Sequence, residues 1–463
     1  MQKKPADTVV SDKGTQLAPL RGRFNLQTIH GTSYMSHDIL SLPRALHQMD
    51  RVPPPAQCVV SGDPNSAEHL SAGPRLTIID HAAAVTHGNP KLSKRRPKNS
   101  TRSNNSSFLT RGVVSEGFAK RFKDELSNCL IVSDFERTLV LLDFGTGGTK
   151  IEPLAKLYFA KGYPLCHSFN HLTAGSQQLD VVAGMSTGDL VWFDMAAQRY
   201  ERVNKQISSK SPILAVEWLP NSDNLVAACH ADGLLVVYDV YTDEPDRTAH
   251  YIGKHATKIS FISDVQAVLA FKSDYMKIID VATGQISEYV PSLFGGVLCC
   301  AVSPDGVYWA SGGEDDTVAI FETKTRRLIA NLVGHSAWVR NIAWESSVDP
   351  NAHVYRLVTI GEDRKVITWD FSLAAMTPAK HGLIHLSVDE RAVAETHRVS
   401  TARGKAIVYG RPLATQTPKI FPLATTKPQV PEFGDLILSS LALTPVGLVV
   451  ACKGGRYITW YRK

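Results

Sequence analysis

Apolar and polar residues alternate in short runs along most of the chain, with turn-forming residues between the runs. The clearest stretch is Gly295 to Glu322, GGVLCCAVSPDGVYWASGGEDDTVAIFE. In it an alternating strand, a Ser-Pro-Asp-Gly turn, a second strand, an acidic turn and a third strand follow one another. Period-two alternation bounded by such turns predicts an antiparallel meander rather than helices. The unit recurs from Gly334-His335 to Trp369-Asp370, and its third strand recurs along the chain. RTLVLLD closes at Asp143, GDLVWFD at Asp194, GLLVVYD at Asp239, DYMKIID at Asp280, TVAIFE at Glu322 and RYITWY at Tyr461. Successive closures lie about 40 to 50 residues apart, the length of one four-stranded propeller blade, except for the longer last interval.

Gly-His near the start of a unit and Trp-Asp at its close form the signature of WD repeats, and seven closures predict an all-β, seven-bladed WD-repeat propeller. The expected organisation is a disordered tail over 1–19 and a propeller over 20–463. An irregular insertion is expected over 35–107, holding a disordered basic linker at 85–107, and a second insertion over 371–434 before the last blade. No residues follow Tyr461 that could form the outer strand of that blade, and an open sheet edge is a liability. A strand from the N-terminal end is therefore expected to close the ring, near 24–29, where FNLQTI alternates weakly.

Composition narrows the function class. The 463 residues are 43% hydrophobic and 20% charged, with a net charge of +6. Lys91, Lys94, Arg95, Arg96, Lys98 and Arg102 supply that excess within one Ser/Asn/Pro-rich tract, so the remainder is balanced. A solvated linker is the first reading of this tract and a nuclear-import or nucleic-acid patch the second. The seven cysteines include no Cys-x-x-Cys pair and most lie in apolar runs, which predicts reduced core thiols. No apolar run reaches the ~20 residues of a membrane span, and the N-terminus lacks the apolar region of a secretion signal. The expectation is a cytoplasmic and/or nuclear protein with no membrane contact.

Motifs that suggest catalysis do not hold together. Gly184-Met185-Ser186-Thr187-Gly188 has the spacing of a nucleophile elbow, but a strand follows it where a helix is needed. Gly145 to Lys150 is Gly-rich after a strand, yet no helix pattern follows. Cys299 and Cys300, adjacent on a strand, point to opposite faces and cannot chelate together. No catalytic residue, cofactor, metal ligand or small-molecule substrate is expected, and nucleic acid is disfavoured. His335, Thr359, Asp363 and Trp369 instead fit a hydrogen-bonded tetrad that ties a loop to a turn, a structural role. The blade before it keeps Ser311 and Asp315 but has Leu293 and Phe321 at the other two positions. That leaves the rim. Phe294 and Trp338 occupy loops leading into the first strands of adjacent blades. Each is either a plug under its own loop or, if exposed, part of a protein-binding hot spot.

Particular segments carry a closer likeness. CHSFNHLTA from Cys166, ILAVEWLP from Ile213, LFGGVLCCAVSPDG with SGGEDD after it, GHSAWVRNIAWE and the terminal ACKGGRYITWYR resemble the CreC family of fungal catabolite-repression proteins and their animal counterparts. The resemblance implies a noncatalytic scaffold that binds a ubiquitin-specific protease and supports its deubiquitinating activity, in carbon catabolite repression if the source is a fungus. It also implies that Phe294 and Trp338 contact the protease. The alternative is a WD-repeat substrate receptor of a ubiquitin ligase or an adaptor in another regulatory complex. Such receptors commonly carry Trp-Asp-x-Arg, whereas Trp369-Asp370 here continues as Phe371-Ser372.

Overall fold

The computed structural model describes residues 25–27, 33–41, 74–80, stretches of 95–143, most of 153–371, parts of 415–422 and most of 437–462. Apart from a helical position at Phe118, the regular structure among these residues is β-strand, and the strands form seven antiparallel-cored sheets. Each sheet is one blade: blade 1 contains Leu76–Asp80, Cys129–Phe135, Thr138–Asp143 and Pro153–Phe159, blade 2 Pro164–Phe169, Asp180–Met185, Leu190–Asp194 and Arg199–Arg202, and blade 7 Leu438–Leu443, Gly447–Cys452 and Arg456–Arg462. From the axis outward, blade 3 consists of Ile213–Trp218, Leu225–His230, Leu234–Asp239 and Thr248–Tyr251. Blade 4 consists of Ala256–Phe261, Gln266–Phe271, Tyr275–Asp280 and Ile286–Pro291. Blade 5 begins with Val297–Val302, Tyr308–Gly313, Thr317–Glu322 and Leu328–Val333, and blade 6 with Val339–Trp344, Tyr355–Gly361 and Lys365–Phe371. The seven closing acids and aromatics of the sequence pattern each end the third strand of a blade or sit within it, as expected of a seven-bladed propeller.

Strands of a blade are covered on both faces by the neighbouring blades, which is why runs such as Thr138–Asp143 are buried throughout. Alternation then distributes side chains between two interfaces. In Leu190–Asp194 of blade 2, Val191 and Phe193 pack into the core shared with blade 1, whereas Leu190 and Trp192 pack into the core shared with blade 3. The closing acids cap the turn beyond the third strand. Asp280 Oδ1 accepts the main-chain N–H groups of Ala282 at 3.1 Å and Thr283 at 2.9 Å, and Asp194 Oδ1 accepts that of Ala197 at 3.0 Å.

Polar side chains join the innermost strands to one another around the axis. Thr77 Oγ1 donates to the carbonyl of His167, linking blades 1 and 2, and Ser168 Oγ donates to Glu217 at 2.6 Å, linking 2 and 3. Lys258 pairs with Glu217 across blades 3 and 4, and Thr257 and Ser260 donate to the carbonyls of Val297 and Cys300 across 4 and 5. Trp344 Nε1 donates to Ala301, Asn341 to Ser440, and Leu76 N–H to Ser440, which completes the circuit. Seven sheets packed face to face and tied at their inner strands in this way make a rigid platform.

The ring closes differently from the expectation. Arg456–Arg462 pairs with Ser33–Ser41, and Asn25–Gln27 lies outside that strand. The closing strand expected near 24–29 is therefore corrected by one position: it is the fifth strand of the blade, not the fourth. The register of Ser33–Ser41 shifts between His37 and Leu40, so the bulge interrupts the alternation by which a strand is recognised.

The insertion expected over 35–107 is likewise not irregular throughout. Leu76–Asp80 is the innermost strand of blade 1, paired with Cys129–Phe135. The basic linker expected to be disordered over 85–107 is in part docked. Asn99–Ser100 pairs with Arg199–Arg202 as a fifth strand of blade 2, while Arg95 and Lys98 reach Glu201 at 3.4 and 3.7 Å. A strand edge and a nearly buried carboxylate offset the repulsion that like charges would otherwise produce. The insertion over 371–434 supplies strands too: Lys419–Pro422 is the fourth strand of blade 6, and Thr415–Gln416 runs parallel to the outer strand of blade 5. The tail expected over 1–19 lies outside the described residues.

Candidate functional site

The start of each first strand, the end of the second and the start of the third lie at one end of a blade, as the pairing of Val297 with Gly313 illustrates. Loops there form one rim. In blade 6 this rim is tied down by the tetrad residues. Trp369 Nε1 donates to Thr359 Oγ1 at 2.9 Å, Thr359 lies 2.8 Å from His335 Nε2, and His335 Nδ1 lies 3.0 Å from Asp363 Oδ1. With a neutral imidazole this is one directional chain, Trp to Thr to His to Asp. Asp363 also accepts the N–H groups of Ser336 at 2.9 Å and Lys365 at 3.1 Å. Burial works against its carboxylate, but the His335 bond and these main-chain donors outweigh burial and bring its pKa from 3.8 to about 2. All four polar groups are consumed by one another, so the set anchors a loop and offers no free nucleophile or base.

Blade 5 anchors the equivalent loop by other means. Gly296 N–H donates to Glu314 Oε2 at 3.0 Å, and Glu314 N–H donates to the Gly296 carbonyl at 2.9 Å. Ser292 Oγ closes the loop from the other side, donating to the Gly295 carbonyl at 2.7 Å. Glycine is required on both partners. Gly295 has φ +64°, and a Cβ there would lie 2.8 Å from Glu314 Oε2; a Cβ on Gly313 would strike the Gly296 carbonyl oxygen. This clamp presents Phe294 outward, 73% exposed, the most exposed of the large apolar side chains among the described residues. Phe321 stands where blade 6 has Trp369 and stacks at 4.1 Å on Trp309 in the core shared with blade 4, Ser311 stands where blade 6 has Thr359, and Leu293 lies outside the described residues.

Trp338 is only half-buried. Its carbonyl accepts the Glu362 N–H at 2.9 Å, and the guanidinium of Arg340 lies 5.7 Å from its ring centroid while binding the Glu362 carboxylate. One face of the indole is thus engaged within its own blade, which combines the two readings offered for it.

The same rim holds residues that pattern reasoning missed. Tyr251 and Tyr289, on the outer strands of blades 3 and 4, are 69% and 56% exposed. Lys277 packs beside Tyr289: its ammonium donates to the Ile252 carbonyl of blade 3 and lies 5.4 Å from the ring centroids of Tyr275 and Tyr289. In an alternating strand an exposed tyrosine and a buried one look alike, so only the position of each strand at the outer edge distinguishes them. Together with Phe294 and Trp338 they form an arc of aromatics over blades 3 to 6.

Other candidates resolve into structure. Ser186 lies in the turn after Asp180–Met185, and its Oγ accepts the Tyr163 N–H at 3.1 Å. Cys299 and Cys300 fall into different inter-blade cores, those of blades 5/6 and 4/5. Burial pushes the Cys166 thiol up to about 12 and raises those of Cys229, Cys299 and Cys300 as well. Among the described residues no helix is long and apolar enough to cross a membrane.

A sequence profile of the family "WD domain, G-beta repeat" matches residues 288–322, from the outer strand of blade 4 through the third strand of blade 5. The UBP9-binding protein bun62 of Schizosaccharomyces pombe (strain 972 / ATCC 24843) is 25% identical over 420 residues, covering 78% of this chain and 75% of that protein. Among solved structures, a chain from the crystal structure of a mitotic checkpoint complex superposes with a TM-score of 0.51 at 12% identity. It covers 80% of this chain and 97% of its own length, a likeness of fold alone.

Proposed function

Proceeding from a WD-repeat propeller that is similar to a UBP9-binding protein, we propose that this chain is a noncatalytic subunit of a deubiquitinase. It lends the rim of blades 5 and 6 to a ubiquitin-specific protease, and the catalytic cysteine resides in that partner. The observation that carries this reading is Phe294: a large aromatic, exposed, on a loop already fixed by two reciprocal bonds between Gly296 and Glu314. An anchor that is ordered before binding loses little conformational entropy on association. Support of the protease's activity then requires that the rim contact its active conformation better than its inactive one. The narrower reading, a role in carbon catabolite repression, follows from the CreC resemblance and applies if the source is a fungus.

The test uses Phe294→Ala and Trp338→Ala in the full chain. As a central anchor, Phe294 should contribute ~2 kcal/mol to binding, a loss of ~30-fold on truncation. Its exposure means that melting should hardly change. Trp338→Ala should weaken binding and also lower stability modestly, since half of the indole packs in blade 6. If both variants bind and activate the protease as the wild type does, the rim of blades 5 and 6 is not the docking face.

A further inference from the structure

The innermost strands enclose a cavity of about 370 Å³ on the propeller axis, lined among others by Arg75, His167, Glu217, Lys258 and Arg340. Most of the polar groups on its wall are spent in joining blades. Arg75 is different. Its main-chain N–H donates to Asp134, but its guanidinium reaches from blade 1 past blade 2 and donates from Nη1 to the Leu214 carbonyl of blade 3 at 3.3 Å. A side chain spanning two blades that are not neighbours crosses the cavity instead of lying in an interface. The other two cations each have an acid: Lys258 has Glu217 at 3.6 Å, and Arg340 has Glu362. The Arg75 head has no carboxylate within ion-pair distance among the described residues.

Asp134, the acid nearest in chemistry, is turned to the main chain of Arg75. Burial raises it to about 6 against the opposing pull of the Arg75 charge, so it is only partly satisfied by that charge. His167 adds no charge to the wall, since burial lowers it to about 3. The cavity thus holds a guanidinium with unused donors in a fork that fits a carboxylate or phosphate, and an ammonium on Lys258 whose side chain is 43% exposed. Its volume is within the range of small-molecule sites.

We propose that the axial cavity binds a small organic oxyanion, a phosphate- or carboxylate-bearing molecule, with Arg75 as the forked ligand and Lys258 as the second cation. The bound anion would brace blades 1, 3 and 4 from inside the ring. The site shares Arg340 with the wall under Trp338, but its two proposed ligands lie on blades 1 and 4 and it does not depend on the protease reading.

The experiment is calorimetric titration of the full chain with pyrophosphate and with citrate, each against chloride at equal ionic strength, with melting measured on the same samples. Saturable one-to-one binding of at least one anion is expected, accompanied by a rise in melting temperature. Arg75→Gln should weaken it at least tenfold, and Lys258→Gln, which leaves the Arg75–Leu214 tie in place, several-fold. Binding by pyrophosphate alone identifies a phosphate ligand and binding by citrate alone a carboxylate. If neither anion binds saturably to the wild type, or if both variants bind as the wild type does, the proposal is wrong.

Discussion

Asp363→Ala removes the acceptor at the end of the tetrad, and its cost can be worked from the contacts. Three hydrogen-bond donors lose their partner, His335 Nδ1–H and the N–H groups of Ser336 and Lys365, and the Lys365 ammonium loses its ion pair at 3.3 Å. The His335 side chain is 0% exposed, so its donor is left without water, at about 1–3 kcal/mol. The two main-chain groups are nearer the surface and recover part of their loss by hydration. The carboxylate's depression from 3.8 to about 2 corresponds to roughly 2 kcal/mol of preference for the ionised form, less after solvent screening at a partly exposed loop. A total of about 2–4 kcal/mol is expected for Ala, and about 1–2 kcal/mol for Asn, which keeps one acceptor.

The sign with pH follows from the direction of the shift. The folded-state value lies below 3.8, so the contribution is present above 3.8 and is lost as pH falls through about 2. Urea unfolding of wild type and Asp363→Asn should therefore show a gap that is constant near neutrality and closes between those values. Other carboxylates titrate in both proteins and cancel in the difference. A gap under about 0.5 kcal/mol at neutral pH, or one that survives unchanged at pH 2, would show that the tetrad does not stabilise blade 6.

Three further outcomes are expected. Deletion through residue 41 should lower the melting temperature far more than deletion through residue 29, because only the first removes the strand paired with Arg456–Arg462; equal melting would contradict the closure. Glu201→Gln should expose the basic segment to trypsin near Arg95 and Lys98 with little change in melting, read as the rate of first cleavage. Gly295→Ala should strain a loop at φ +64° by about 1–2 kcal/mol and weaken protease binding by displacing Phe294, so unaltered binding would detach the clamp from the interface.

The repeat was readable because inter-blade burial imposes period two on every third strand: GDLVWFD and GLLVVYD must feed two cores at once. The tetrad residues were readable for a related reason, since His335, Thr359, Asp363 and Trp369 occupy fixed places relative to the strands. What escaped were strands whose pattern is broken. Ser33–Ser41 carries a bulge, Leu76–Asp80 has only five residues, and Lys419–Pro422 is far along the chain from Phe371, so nothing local marks it as part of blade 6. The docking of Arg95 and Lys98 on Glu201 was equally hidden, because a charge run reads as solvated until the acid that faces it is placed. Tyr251 and Tyr289 needed the edges of blades 3 and 4 to be known before their exposure had meaning.

The two loop anchors also give FGG and GGEDD of this sequence one physical role. Every blade must fix the loop into its first strand against the turn between its second and third. Blade 6 does so with inward-pointing side chains, and the half-covered Trp338 sits on a rim whose charged neighbours, Arg340 and Glu362, are already engaged. Without the tetrad's Trp, blade 5 ties the same two segments through main-chain groups and one acid, Glu314. That solution demands close backbone approach, hence Gly295, Gly296 and Gly313, and it turns the side chain before the glycines outward. The two motifs are the two halves of one contact, separated along the chain but joined in space. The device that replaces the tetrad is thereby the one that turns Phe294 outward, so, if the proposed docking on Phe294 holds, a substitution that restored a His-type anchor in blade 5 should weaken protease binding without lowering the melting temperature.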